Sequence, residues 1–365
     1  MSFPRLLSWV MVFLVVTFEA KVGLGQINGI RRNYITWRDL KMEGPPRNFP
    51  LRDIGGNNRN KLVIVVDKYG RGDSFTVQGA VDMVPENNVQ RVKIHILPGV
   101  YREKVRIPVN KPYISFIGNE NEPSSTVITW HDKASDNLPN GSCCLGTWNS
   151  ASVSVESDYF CATGITFENT VIAEEGGVKG YGYQAVAFRI SGEKAMFYKV
   201  RFLGSQDTLL DESGSHYFFR CFIQGSTDFI FGNAKSLYQE CGISVVGDGY
   251  AIAAQHRNSD TDETGFAFLN CTVSGTGPIY LGRAWGNYSR IIYSYTEFDI
   301  DVRPQGWEDW RVPSRQSTVV FGEYECRGRG ADRSRRVEWS KALTYWEARP
   351  FLDIMFIRGD QWLKL

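Results

Sequence analysis

The pentapeptide Gly204-Ser205-Gln206-Asp207-Thr208 returns twenty-one residues later as Gly225-Ser226-Thr227-Asp228-Phe229. Each copy follows an apolar stretch, Val200 to Leu203 and Cys221 to Ile223. Apolar segments of the same kind recur through the middle of the chain, at Cys161 to Phe167, Met196 to Phe202, Tyr217 to Ile223, Leu237 to Ser244 and Phe266 to Val273. Each reads as one short strand rich in β-branched and aromatic residues. Several are followed by Gly or Asn, and no stretch between them carries an apolar period of 3.6. Such a chain suits a solenoid of stacked parallel strands and leaves no place for helical crossovers. Longer inserts after Asn169 and Gly247 make the repeat irregular, so on these residues alone a β-sandwich or another all-β fold stays open. In a solenoid the inserts are loops on the coils, where binding sites tend to lie.

If one repeat is one coil, Asp207 and Asp228 become neighbours about 4.8 Å apart, the spacing of paired strands. Two carboxyls that close resist joint ionisation, which favours one acid and one base. By itself an Asp after Gly-Ser is most often a turn residue capping nearby amides, and it is the repeat that singles out this pair.

The N-terminus reads as a secretory signal peptide over residues 1–25. Arg5 precedes an apolar run from Leu6 to Phe18, too short to span a bilayer comfortably, and Gly23 and Gly25 supply small residues for cleavage near Gln26. Residues 26–60 form an N-terminal extension, and 61–365 are long enough for one large β domain. The net charge is +1, and loss of Arg5, Lys21 and Glu19 with the leader brings it to zero. Neither nucleic acid nor a charged membrane is implied as a partner. The basic stretch Arg327 to Arg336 reads as a solvated loop.

Seven cysteines in a secreted chain suggest disulfides, with at least one thiol left over in a monomer. Cys221 and Cys241 fall on adjacent coils, within the Cα separation a disulfide needs, and are the expected pair. No C-x-x-C spacing supports zinc. Three sequons, at Asn140, Asn270 and Asn287, could carry glycans, Asn270 being the doubtful one because it borders a predicted core strand.

Five segments occur in order: Gly99-Val-Tyr-Arg-Glu103, Gln184-Ala-Val-Ala187, Gln206-Asp-Thr-Leu209, Asp228-Phe-Ile-Phe-Gly232 and Leu281-Gly-Arg-Ala-Trp285. Together they resemble the signature segments of pectin methylesterases, most closely the plant enzymes through His216-Tyr-Phe-Phe-Arg-Cys-Phe222, and the resemblance runs from about Leu62 to Leu352. It implies an all-β fold, the right-handed parallel β-helix, and secretion to the plant cell wall.

By this resemblance Asp228 matches the nucleophile that attacks the C6 ester of a methylated galacturonate, and Asp207 the acid, then base, of the two half-reactions. Gln184 and Gln206 match the amide donors around the oxyanion. Arg283 matches the arginine that holds the nucleophile ionised and oriented. Trp285, Trp310, Thr147 and Phe229 match substrate-contacting positions in the sugar cleft, Thr147 through a loose alignment. No metal or organic cofactor is implied. The partners implied are methylesterified homogalacturonan and a proteinaceous pectin methylesterase inhibitor, with the enzyme a monomer. Tyr101 and Glu103 are expected to hold the fold rather than touch substrate.

The chain departs from the family in having Ala284 where plant members usually have Pro and Phe188 where many have Leu. Its short N-terminal region matches the type without a helical inhibitory pro-region. Rival functions fit less well. A polysaccharide hydrolase or lyase would also use clustered acids, but the Gly-His-Gly segment of polygalacturonases is missing. A serine esterase lacks its G-x-S-x-G elbow. A catalytically silent pectin-binding protein would be expected to have lost one of the five reacting residues, and all are present.

Overall fold

The computed structural model describes residues 34–42, 62–138, 140–172, 174–175, 178–179 and 182–365. The expected signal peptide, and all of the N-terminal extension except 34–42, lie outside them. Each of the five apolar segments read as a single strand is in fact two, bent at one residue. Ala195–Tyr198 and Arg201–Leu203 flank one such bend, Ser215–Phe219 and Phe222–Gly225 the next, and Lys235–Gln239 and Gly242–Val245 the one after. The bending residues are Gly164, Lys199, Arg220, Glu240 and Asn270, all left-handed with φ between 51° and 62°. For a residue with a Cβ this conformation costs roughly 1–2 kcal/mol. It is tolerated because the bend keeps its place in the ladder: Lys199 N–H donates to Phe219 O at 3.1 Å, Arg220 N–H to Gln239 O at 3.0 Å and Glu240 N–H to Leu269 O at 2.9 Å.

A third strand completes each coil, as in Leu209–Asp211, Ile230–Gly232, Ala251–Gln255 and Tyr280–Ala284. The result is three parallel sheets of 11, 8 and 8 strands wound as a right-handed parallel β-helix. Among the described residues the one antiparallel pair is Glu174–Glu175 with Val178–Lys179, in the insert after Asn169.

In-register stacking places like side chains on like. Inside the 11-stranded sheet Phe197, Phe218, Tyr238, Phe268 and Tyr293 form a continuous aromatic ladder with successive ring centres 4.5, 4.5, 4.7 and 4.5 Å apart and planes within 15°. Such contacts add about 0.5–1.5 kcal/mol per pair beyond the apolar area they bury. One end of the coil stack is closed by the helix Val77–Met83, which buries Val77, Ala80 and Val81. The Glu103 carboxylate accepts from the Val77 and Gln78 amides at 2.8 and 2.9 Å, and buried Tyr101 donates to Leu97 O at 2.9 Å. The first signature segment therefore serves the fold, as its chemistry suggests. On the outside of the long sheet, Ile35, Trp37 and Leu40 pack over Met196, Tyr198 and Tyr217, with Trp37 edge-on to Tyr198 at 5.0 Å.

The expected Cys221–Cys241 disulfide does not form. Both thiols are free and buried. They do sit in register on adjacent coils, but stacked side chains project in parallel rather than toward each other. Each sulfur donates instead across the core, Cys221 to Phe197 O at 3.5 Å, Cys241 to Phe218 O at 3.5 Å and Cys271 to Tyr238 O at 3.3 Å. The disulfide present joins Cys143 and Cys144. Asn270 is exposed because it is a bend residue, and Asn140 and Asn287 are exposed as well.

Candidate active site

The two copies of the repeat meet at the start of one eight-stranded sheet. Leu209 pairs with Ile230, and Gln206 bridges Thr227, which sets Asp207 directly beside Asp228. Gly204 and Gly225 explain the shared Gly-Ser opening. A Cβ on Gly204 would lie 2.6 Å from the Thr208 hydroxyl, and one on Gly225 would lie 2.2 Å from Phe229 Cβ, so each glycine makes room for the residue four places on. Both aspartates are left-handed, φ 64° and 48°, a conformation Asp tolerates better than most residues. Their amides stay in the ladder, Asp207 N–H to Thr227 O at 3.0 Å and Asp228 N–H to Ala251 O at 2.7 Å.

Asp228 is 5% exposed and gripped from two coils away by Arg283, whose Nε donates to Oδ1 at 2.7 Å and whose Nη2 donates to Oδ2. The guanidinium carbon sits over Trp310, 3.7 Å from the ring centre, with Tyr250 at 5.2 Å. Asp207 is 8% exposed, and its carboxyl has no hydrogen-bond partner among the described residues. Burial, and then the charge of Asp228, push Asp207 well above the usual carboxylate range, with Arg283 only partly opposing. Burial also raises Asp228, and the hydrogen bond and charge of Arg283 pull it back without reversing the direction. Arg283 thus limits the rise of Asp228 rather than holding it below its ordinary value. Asp207 remains the member that keeps its proton longer.

Gln184 and Gln206 lie on adjacent coils, with Ala185 N–H donating to Gln206 O at 3.1 Å. Both side chains are half-buried, and neither amide is hydrogen-bonded to another described residue. Among these residues no group of three His, Cys, Asp or Glu is placed to hold a metal ion, and no helix is long and apolar enough to cross a membrane.

The pectinesterase family model matches residues 63–360. The chain belongs to the pectinesterase family. It is 58% identical to Pectinesterase QRT1 of Arabidopsis thaliana over 97% of this chain and 96% of that protein. Among solved structures it resembles the pectin methylesterase from carrot, with a TM-score of 0.72 and 36% identity over 85% of this chain and 96% of that one. The pectin methylesterase from Aspergillus niger in deglycosylated form gives 0.69 and 27%, over 83% and 96%. The protein is therefore an enzyme of the pectinesterase class.

Within this pectinesterase, Trp285 and Trp310 are both partly buried against an outer apolar cluster that includes Leu210, Phe231 and Ala254. Thr147, on the short helix Gly146–Asn149, borders the same cleft as Trp285. Phe229 is a correction: it is fully buried in the main core and faces away from the cleft. The aromatic on the outward side of the strand is Phe231, itself buried, 6.0 Å from Trp285. Strict alternation from Asp228 would turn Phe231 inward, but the left-handed backbone at Asp228 resets the phase of the strand that follows.

Glu212, His256 and Tyr250 also border the site, and sequence reasoning passed over them. Register alone could have found two. Glu212 and His256 each stand one residue past the strands that carry Asp211 and Gln255, on the row that ends in Trp285. His256 stacks on Trp285 at 4.1 Å.

Proposed function

We propose that this pectinesterase is secreted to the plant cell wall and removes methyl esters from homogalacturonan, yielding free-acid pectin and methanol. The observation that carries the reading is the two-point clamp of Arg283 on Asp228 with an unpartnered, proton-retaining Asp207 one coil away. A clamped carboxylate presents a lone pair in a defined direction, as a nucleophile must. Asp228 attacks the C6 carbonyl, and the oxyanion is met by the amides of Gln184 and Gln206, each worth roughly 3 kcal/mol in such a role. Collapse breaks the C–O bond to methoxide, which leaves as methanol with the proton of Asp207. Asp207, now a base, takes a proton from water as its oxygen attacks the sugar acyl carbon of the anhydride. That step frees the galacturonate and restores Asp228. Trp285, Trp310, Phe231 and Thr147 line the sugar-binding surface. The protein acts as a monomer, a proteinaceous inhibitor is a partner by family, and residues 1–25 are the leader removed on secretion.

Methanol release from highly methylated pectin, with reducing ends assayed in the same tubes, tests this. Wild type should release methanol without new reducing ends, and Asp228→Ala should release none while folding normally. New reducing ends or unsaturated products would move the assignment to a glycosidase or lyase.

A further inference from the structure

Beside the aspartate pair a cleft of about 410 Å³ opens on the side where the strands end. Its floor is apolar, made by Leu210 and Phe231, and Thr147 and Trp148 form the opposite wall. Along it runs a row with one residue from each successive coil: Glu212, Asn233, His256 and Trp285. The row is held in register by Asn233 N–H to Glu212 O at 3.0 Å and by the pairing of Gln255 with Ala284.

The charge of this cleft is lopsided. Glu212 is the one acidic side chain among the described residues that line it, and no Lys or Arg does; burial raises its carboxyl above the ordinary value, with Arg189 opposing. The nearest cation, Arg189, reaches Glu212 at 3.4 Å but is 4% exposed, lies beneath the Trp148 ring at 3.9 Å and already binds Glu156 at 2.8 Å. A ligand in the cleft therefore meets the carboxylate and not the guanidinium. His256 adds no charge near neutral pH, because burial and then Arg315 hold its imidazole below its ordinary value. Its Nε2 faces the Asn258 amide at 3.4 Å, as an acceptor would.

We propose that this cleft is a subsite for a methyl-esterified galacturonosyl residue next to the one being hydrolysed, and that Glu212 excludes a neighbour whose ester has already been removed. The inference rests on the pectin reading above. A methyl ester sets its apolar group on Phe231 and Trp285, whereas a free carboxylate brings a like charge to Glu212 with no accessible cation to offset it. On that side the enzyme moves away from its own product, so demethylation is scattered rather than contiguous.

The test compares kcat/KM for methanol release near neutral pH on pectins of low and high ester content, for wild type, Glu212→Gln and Ser213→Lys. Glu212→Gln removes the repelling charge and leaves Arg189 less neutralised. Ser213→Lys places a cation at an exposed position on the same rim. Both should raise the low-ester to high-ester ratio by at least about threefold, mainly through KM, and the gain should shrink in roughly 0.5 M salt as screening shortens the range of the charges. A change in Glu212→Gln from lost packing alone would not respond to salt, nor would Ser213→Lys share it. Methanol release with a wild-type ratio in both variants would overturn the subsite assignment alone. No methanol from either pectin with wild type would overturn the functional reading, and this inference with it.

Discussion

Replacing Arg283 by Lys keeps the charge and removes the geometry. In the native site Arg283 makes two N–H bonds to the Asp228 carboxylate and sets its guanidinium over Trp310 at 3.7 Å. A lysine ammonium offers a single point of contact and no flat face. Losing one hydrogen bond to a charged group is worth about 1.5–3 kcal/mol, and losing the stacked cation about 0.5–1 kcal/mol. Together these amount to about 2–4 kcal/mol of transition-state positioning, or a fall in kcat/KM of roughly 30- to 1000-fold. The pH profile should change as well. Burial raises Asp228 and Arg283 opposes it, so a weaker partner leaves the carboxyl higher, and the acid limb of kcat/KM, where the nucleophile must lose its proton, should move to higher pH. Methanol release measured across pH for both proteins, with thermal unfolding to show that the fold is kept, decides the matter. A Lys variant with wild-type kcat/KM and an unmoved acid limb would refute the argument that Arg283 orients and ionises Asp228.

Asp207→Asn should abolish turnover yet stabilise the fold. A carboxyl whose folded value is raised favours the native state while protonated and opposes it increasingly as pH climbs past the unfolded value near 3.9. Calorimetry should therefore show a gain of about 0.5–2 kcal/mol near pH 7 that vanishes below about pH 4. Phe229→Ala and Phe231→Ala should separate cleanly. The first should lower stability by about 3–5 kcal/mol as a core cavity with KM unchanged; the second, also buried, should lower stability and in addition raise KM, which urea melts and pectin titrations would show side by side. His216 is fully buried with Nδ1 2.5 Å from Asp211 Oδ1 and Nε2 2.8 Å from Gly192 O, while Tyr238 donates to the other Asp211 oxygen at 2.6 Å. Both ring nitrogens face acceptors. Burial lowers the imidazole, but the charge and hydrogen bond of Asp211 outweigh it and leave the folded value raised. The stability from this pair should be full below about pH 6.5 and lost as pH rises through the higher folded value. His216→Gln should cost about 3–5 kcal/mol at pH 6 and less at pH 9 by denaturant titration. Finally, a thiol reagent should label none of Cys161, Cys221, Cys241 or Cys271 quickly in the native enzyme, since all are buried and burial pushes Cys161 up to about 11. Rapid native labelling of Cys221, Cys241 or Cys271 would contradict the free, inward-facing thiol ladder, and rapid labelling of Cys161 its burial in the outer cluster with Leu40 and Met196.

The repeat around Asp207 and Asp228 was enough to infer stacked coils and a carboxyl pair, because in a solenoid sequence interval translates directly into spatial neighbours. The motif around Arg283 likewise named its partner, although 55 residues separate it from Asp228. Three things depended on the folded chain. The bends at Lys199, Arg220 and Glu240 were invisible because these residues are not turn formers, and only cross-coil hydrogen bonds make their left-handed backbone tolerable. The same cause hid the exchange of roles between Phe229 and Phe231, since a left-handed residue at Asp228 shifts which side of the next strand faces out. Cys221 and Cys241 were close enough to suggest a bond, yet stacking in parallel gives proximity without convergence. The row Glu212, Asn233, His256 and Trp285 is spread over more than seventy residues of chain. Local sequence therefore settled the coil and which side chains stack on neighbouring coils, whereas direction, inward or outward and toward or alongside, was decided by packing between coils.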